Sequence, residues 1–162
     1  MKYEVKIASE SDLSAVIDLR FEMLGAVNEG AEFDEAFRER TREYFTNGEQ
    51  TTVLTFFGDK AVGCATICYQ TVMPTYSHKT GNRAHIMNVY VQKEHRRQGL
   101  ARKMLEMLLE EAKKRGATSI TLNATESGKP LYKALGFNGS EEYMELNNYW
   151  EPLKTGLKSE NG

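Results

Sequence analysis

Polar and apolar positions alternate over residues 3–7, the period of a half-buried strand, and then recur at helical spacing, with Leu13, Val16, Ile17, Phe21 and Leu24 on one stripe. Ser9, three residues before Asp12, supplies a capping pattern ahead of that helix, and Gly25 is its expected stop. A second helix is predicted over residues 34–46, with Phe37, Thr41, Tyr44 and Phe45 on one side and Asn47-Gly48 at its end. Residues 51–57 and 60–69 read as strands joined by the two-residue Gly58-Asp59 turn, hence as a hairpin. The polar stretch 71–83, with Pro74 and Gly81, is a long loop of the kind that borders binding sites.

The next unit reads strand (84–91), turn, helix (100–115), strand (119–123), a crossover that joins parallel strands. Leu100, Met104, Leu108 and Ala112, with Ala101 and Leu105 beside them, give its helix one sheet-facing stripe, and Gly116 closes it. A short helix over residues 129–135 carries Pro130 in its first turn and stops at Gly136. From Phe137 onward a last pair of strands is expected, ending near residues 143–146. The remaining polar tail, residues 148–162, contains Trp150, a candidate contact with the body of the protein or with a second copy in a homodimer.

Composition narrows the class. A chain of 162 residues, 40% hydrophobic and 27% charged, has the size of one globular domain that buries about two thirds of its unfolded surface. Cys64 and Cys68 lie on one face of one strand, where they cannot readily pair, and read as packing residues. His78, His85 and His95 are scattered, without metal-ligand spacing. A net charge of −2 speaks against a general nucleic-acid binder. The first residues are too polar for a signal peptide and no run of 18 apolar residues exists to cross a membrane, so a soluble cytoplasmic protein is expected.

The chemistry concentrates in residues 86–101, IMNVYVQKEHRRQGLA, where an apolar strand empties into a basic turn that opens the long helix. The leading N–H groups of a helix have no intrahelical partner and, with the helix dipole, present roughly half a positive charge to an anion such as phosphate. Arg96, Arg97 and Arg102 add charge, and Gly99 lets a ligand approach the backbone. The spacing of a nucleotide-hydrolysing loop is missing, as is the three-glycine fingerprint of a dinucleotide site. What stands there is Arg96-x-x-Gly99-x-Ala101, followed about thirty residues later by Leu131-Tyr132-Lys133-Ala134-Leu135-Gly136-Phe137.

In this order and separation the two motifs resemble the GNAT superfamily of acetyl-CoA-dependent N-acetyltransferases, over residues 60–146. The resemblance implies a GNAT-like α/β fold: one domain (residues 1–147) with a mixed, mostly antiparallel central sheet flanked by helices, its parallel strands splayed at a cofactor cleft. It implies acetyl transfer to a primary amine of a small molecule or peptide by direct attack through a tetrahedral intermediate, with no metal ion. The backbone from Arg97 through Gln98, Gly99 and Leu100 to Ala101 would hold the pyrophosphate of coenzyme A, with Arg96, Arg97 or Arg102 reaching its phosphates. Val89, Tyr90 and Val91 would pair with the pantetheine arm as with an added strand, and an N–H near Val89 or Tyr90 would face the thioester oxygen. A coenzyme A sensor that does not turn over is the alternative from another class.

Tyr132 resembles the family's general acid for the departing thiolate, against an ordinary packing tyrosine among Leu131, Leu135 and Phe137. Many relatives carry Asn seven residues before that tyrosine and Ala four before it, where this chain has Thr125 and Gly128. Thr125 and Lys129 are candidates for contacting the cofactor. Counting back four residues from Val89 to where some members place a glutamate base gives His85, whose ordinary titration range suits a base; a satisfied strand histidine and a water relay stand beside that reading. For the acceptor, Arg20 falls on the apolar stripe of the first helix, where it snorkels, pairs with an acid such as Glu43, or holds an anion. Asn88, Tyr69, Tyr76 and His78 are further candidates for the acceptor pocket.

Overall fold

The computed structural model describes residues 1–146, which fall into two compact units, Met1–Asn123 and a smaller one beginning at Ala124. In the first unit β1 (Tyr3–Ile7) leads to α1 (Leu13–Val27) and α2 (Glu35–Asn47), then to β2 (Gln50–Phe57), β3 (Lys60–Thr71), β4 (Asn82–Val91), α3 (Leu100–Lys114) and β5 (Ser119–Leu122). The five strands form one sheet in sequence order, antiparallel from β1 to β4 and parallel between β4 and β5. The mixed, mostly antiparallel sheet read from the sequence is therefore present.

Strand alternation divides the core between two faces. Leu54 pairs with Cys64, and both pack with Val16 and Leu19 of α1. Gly63, one residue earlier on β3, faces the opposite way: a Cβ there would stand 3.4 Å from Met104 Cε of α3. Ala65 and Ile67 share that orientation, and with Met104, Leu105, Leu108 and Ala112 they have no exposed surface. Burying each large apolar side chain this completely contributes roughly 1.5–3 kcal/mol.

Two expectations are corrected. Gly25 does not stop α1, which continues to Val27; Asn28 ends it, its backbone N–H and its Nδ2 each donating to the Leu24 carbonyl at 3.0 Å. No strand follows Phe137 among the described residues. Asn138, Gly139 and Ser140 favour turns, and Ser140 Oγ accepts from Glu142 N–H at 3.3 Å. Tyr143, Met144 and Leu146 are exposed, so no burial offsets the entropy of ordering them as strands. Trp150 lies outside the described residues. In the second unit, α4 (Lys129–Ala134) carries Pro130 in its first turn, as expected.

Candidate active site

The β3–β4 ladder is regular from Asn82 to Met87 and breaks at Asn88 and Val89, where two residues of β4 oppose the single Ala65 of β3. Asn88 takes φ +59°, a left-handed conformation that asparagine tolerates better than most residues. The parallel pairing with β5 covers only Arg83–Ile86, so among the described residues the stretch from Met87 to Val91 has no partner strand on that side. Val89, Tyr90 and Val91 thus form an open backbone edge of the kind an extended amide arm can join. The Tyr90 side chain is engaged elsewhere: its hydroxyl donates to Glu22 Oε1 at 3.0 Å, and burial together with that carboxylate pushes its pKa up to about 12.

The turn after β4 is anchored from below. His95 Nδ1 lies 3.0 Å from the Tyr3 hydroxyl, with the imidazole packed against Tyr3 and Phe57, and Arg96 Nε donates to the Val91 carbonyl at 2.8 Å. Sequence reasoning missed His95 because its partners sit on β1 and β2. Arg97 and Gly99 both have positive φ, +64° and +73°, in the turn that leads into α3. Gly99 caps α3 without a side-chain hydrogen bond, and nothing stands within 4 Å of where its Cβ would be. Leu100 is buried against the core, while Arg96, Arg97, Gln98 and Arg102 are exposed around the opening, Arg102 in a surface pair with Glu106. Unfilled helix-start donors, clear space above a glycine and surrounding cations fit a pyrophosphate.

On the α1–α2 side of the sheet lies a cavity of about 230 Å³. Arg20 of α1, Phe37, Arg40, Thr41, Tyr44 and Phe45 of α2, and Thr66, Cys68, Met87 and Asn88 of the sheet line it. Phe37, Thr41, Tyr44 and Phe45 are the helix face seen in the sequence, but Arg40, Cys68 and Met87 carry no motif and become neighbours only when sheet and helix meet. Burial pushes the pKa values of Tyr44 and Cys68 up, while the nearby Tyr44 hydroxyl and then Arg20 pull that of Cys68 back. Arg40 makes no ion pair among the described residues, whereas its neighbour Arg42 pairs with Glu39 at 2.6 Å.

Of the acceptor candidates, Arg20 and Asn88 line this cavity, and Tyr69, Tyr76 and His78 do not. Tyr69 bonds to Thr51 Oγ1 at 2.9 Å and lies under the Arg115 guanidinium, 4.3 Å from its ring centroid. Tyr76 is 92% exposed, and His78 belongs to the 72–81 loop, where its carbonyl accepts from Thr75 and Gly81. His85 stands two residues before Met87 and pairs with Cys68 across the ladder, so it shares the cavity's side of the sheet without lining the cavity. Its Nδ1 is 2.8 Å from Thr121 Oγ1, and burial lowers its pKa below the ordinary imidazole value.

In the second unit Tyr132 is half-buried, edge-on to Phe137 at 6.2 Å between centroids, and its hydroxyl makes no hydrogen bond among the described residues. Burial raises its pKa, which keeps the phenol protonated. Gly128 explains one departure from the family pattern: a Cβ there would stand 2.9 Å from Tyr132 Cε2. Thr125 is occupied locally, its Oγ1 accepting from Gly128 N–H at 3.2 Å, and Lys129 pairs with Glu126 at 2.5 Å.

A family model described as the acetyltransferase (GNAT) family matches residues 15–137. The chain belongs to this family. The acetyltransferase is 30% identical over 152 residues to glucosamine 6-phosphate N-acetyltransferase of Trypanosoma brucei brucei, covering 89% of this chain and 95% of that protein. Over 71 residues it is 38% identical to the [ribosomal protein bS18]-alanine N-acetyltransferase of Escherichia coli K12, covering 42% and 47% of the two chains. Its fold matches the crystal structure, with acetyl-CoA, of a predicted acetyltransferase from Clostridium acetobutylicum, at TM-score 0.80, 30% identity and 90% and 96% coverage. It is an acetyl-CoA-dependent N-acetyltransferase with an amine as acceptor. Among the described residues no helix is long and apolar enough to cross a membrane.

Proposed function

We propose that the acetyltransferase acetylates a small primary amine that carries an acidic group, bound in the cavity between α1, α2 and the sheet. The observation that carries this reading is that Arg20, Arg40 and Asn88 line one cavity, and that Asn88 lies in the β4 bulge next to the open edge. Apolar walls from Phe37, Phe45 and Met87 lower the local dielectric, so a cation there attracts an anion more strongly than in water. The Trypanosoma relative, named for an amino-sugar phosphate, supports an acceptor of this kind. The two free thiols, Cys64 and Cys68, accord with a reducing, cytoplasmic setting.

Bound acetyl-CoA supplies an activated acetyl carbonyl. In this reading the N–H groups from Arg97 to Ala101 hold its pyrophosphate, Arg96, Arg97 and Arg102 screen its phosphates, and the edge at Val89–Tyr90–Val91 orients the thioester. Thr125 and Lys129 add contacts to the cofactor. An alkyl-ammonium with pKa about 10.4 is protonated at neutral pH and cannot attack. His85, held neutral by burial and oriented by Thr121, takes that proton through water. Tyr132, held protonated by burial, gives its proton to the departing thiolate.

The test is free-thiol release from acetyl-CoA with glucosamine 6-phosphate, glucosamine and an alanine-ended peptide as acceptors. A preference for the phosphorylated amine supports the reading, and Arg40→Ala should then raise its KM about tenfold. Preference for the peptide would replace it with an amino-terminal acceptor, the kind named for the Escherichia coli relative.

A further inference from the structure

A chain of hydrogen bonds runs beneath the cavity from α2 to β4, and donor and acceptor chemistry permits it only one direction. Gln50 Nε2 donates to the Phe45 backbone carbonyl at 3.2 Å, and because a carbonyl offers no hydrogen, the Gln50 amide is fixed with Oε1 turned away. Thr52 Oγ1 lies 2.7 Å from that Oε1 and must spend its single hydrogen there. The Thr52 hydroxyl can then only accept from Thr66, 2.9 Å away, which spends the hydrogen of Thr66. Thr66 is left as an acceptor, and Asn88 Nδ2 donates to it at 3.2 Å. The amide of Asn88 is thereby locked with its NH2 on Thr66 and its Oδ1 facing away.

That oxygen is the loose end. Asn88 is 2% exposed, borders the cavity, and its Oδ1 has no hydrogen-bond partner. Thr52 and Thr66 are equally deep, so water does not relax the chain. A buried carbonyl oxygen without a donor costs about 1–3 kcal/mol, which a ligand carrying an N–H recovers on binding. An ammonium or amine donates, and a charged donor forms the stronger bond. Asn88 also precedes Val89, the start of the proposed pantetheine edge, so a nitrogen bound to its Oδ1 arrives where the thioester is oriented.

We propose that Asn88 Oδ1 receives an N–H of the acceptor amine, and that Gln50, Thr52 and Thr66 are positioning residues that keep this oxygen, rather than the NH2, turned toward it. The inference rests on the amine-acetylating function proposed above. It gives the site a preference for donors: a quaternary ammonium analogue has no N–H to offer and binds about tenfold more weakly than the amine.

The experiment measures KM for the best small amine, and KM for acetyl-CoA, in wild type, Asn88→Gly, Thr66→Val, Thr66→Ser and Thr52→Val, each with a thermal melt. Glycine removes the amide and keeps the positive φ without strain. The expected result is an amine KM raised about tenfold in Asn88→Gly, Thr66→Val and Thr52→Val, an unchanged acetyl-CoA KM, and recovery in Thr66→Ser. Thr52 does not line the cavity, so a shift there reports the lock and not the shape of the pocket. Folded Thr66→Val and Thr52→Val enzymes with wild-type amine KM would overturn the inference alone. Wild-type enzyme that binds acetyl-CoA but releases no thiol with any amine would remove the proposed function and this inference together.

Discussion

Cys64 Sγ donates to the backbone carbonyl of Asn88 at 3.4 Å, beside the point where two residues of β4 oppose the single Ala65. The bond ties the thiol to the conformation that opens the β4 edge. Cys64→Ala removes this bond and leaves a small void, and should cost about 1–3 kcal/mol in urea unfolding. The acetyl-CoA KM should rise as well, because the bulge is no longer pinned. Unaltered stability and KM would separate the thiol from the bulge.

Gly99 should be required for cofactor binding more than for folding. A side chain there meets no protein atom within 4 Å but must adopt φ +73°, at a cost of about 1–2 kcal/mol. Gly99→Val is therefore expected to melt a few degrees lower and to bind no acetyl-CoA by calorimetry. Retained binding would move the pyrophosphate away from the start of α3.

The pKa of His85 is lowered by burial, so the imidazole is neutral at pH 7 and charges only as pH falls below its ordinary value of 6.5. The fold binds this proton less readily than the unfolded chain does. Its contribution to stability is thus fully present above the unfolded pKa and lost as pH falls through the lower, folded one. Activity should fall over the same acid window if His85 is the base. His85→Gln should be slow near neutrality and recover at alkaline pH, where the acceptor amine loses its proton unaided. A pH–rate profile identical in both enzymes would assign the proton to a water relay.

Tyr132→Phe should lower kcat at least tenfold and leave the acetyl-CoA KM nearly unchanged, since general-acid help is worth about 10²–10⁴ in rate. The ring contact with Phe137 survives the substitution, so the melting temperature should hold. Wild-type turnover in the variant would return Tyr132 to a packing role.

The two thiols should differ in reactivity. Cys64 is fully buried and its pKa is pushed up to about 12, whereas Cys68 is partly exposed at the cavity and beside Arg20. Alkylation at pH 8 is expected to label Cys68 alone in the folded protein, and to do so more slowly with a bound acceptor. Because Cys64 holds its proton more tightly in the fold, stability should decline as pH rises above the ordinary thiol value of 9.0.

Much of this was legible in the chain because local periodicity carried it. The β2–β3 hairpin, the stripe of α3 and the glycine turn are each written within a few consecutive residues. What escaped depends on partners distant in sequence. Gly25 looked like a stop, yet the two bonds from Asn28 to Leu24 decide where α1 ends. Tyr69 looked like a pocket residue because of its loop neighbours, but strand parity turns it away from Cys68 and the cavity. Arg40 has no signal of its own, and although its place just before Val89 marks Asn88 in the sequence, the hydrogen-bond chain that joins Asn88 to Gln50 is not visible there.

Mass analysis of the acceptor after incubation with acetyl-CoA, alongside a count of free coenzyme A thiol, tests the acetyl-transfer account most directly. The account predicts an amine that gains one acetyl group for each thiol released, with both lost in Gly99→Val. Thiol release without an acetylated amine, or an acetylated product undiminished in Gly99→Val, would contradict it.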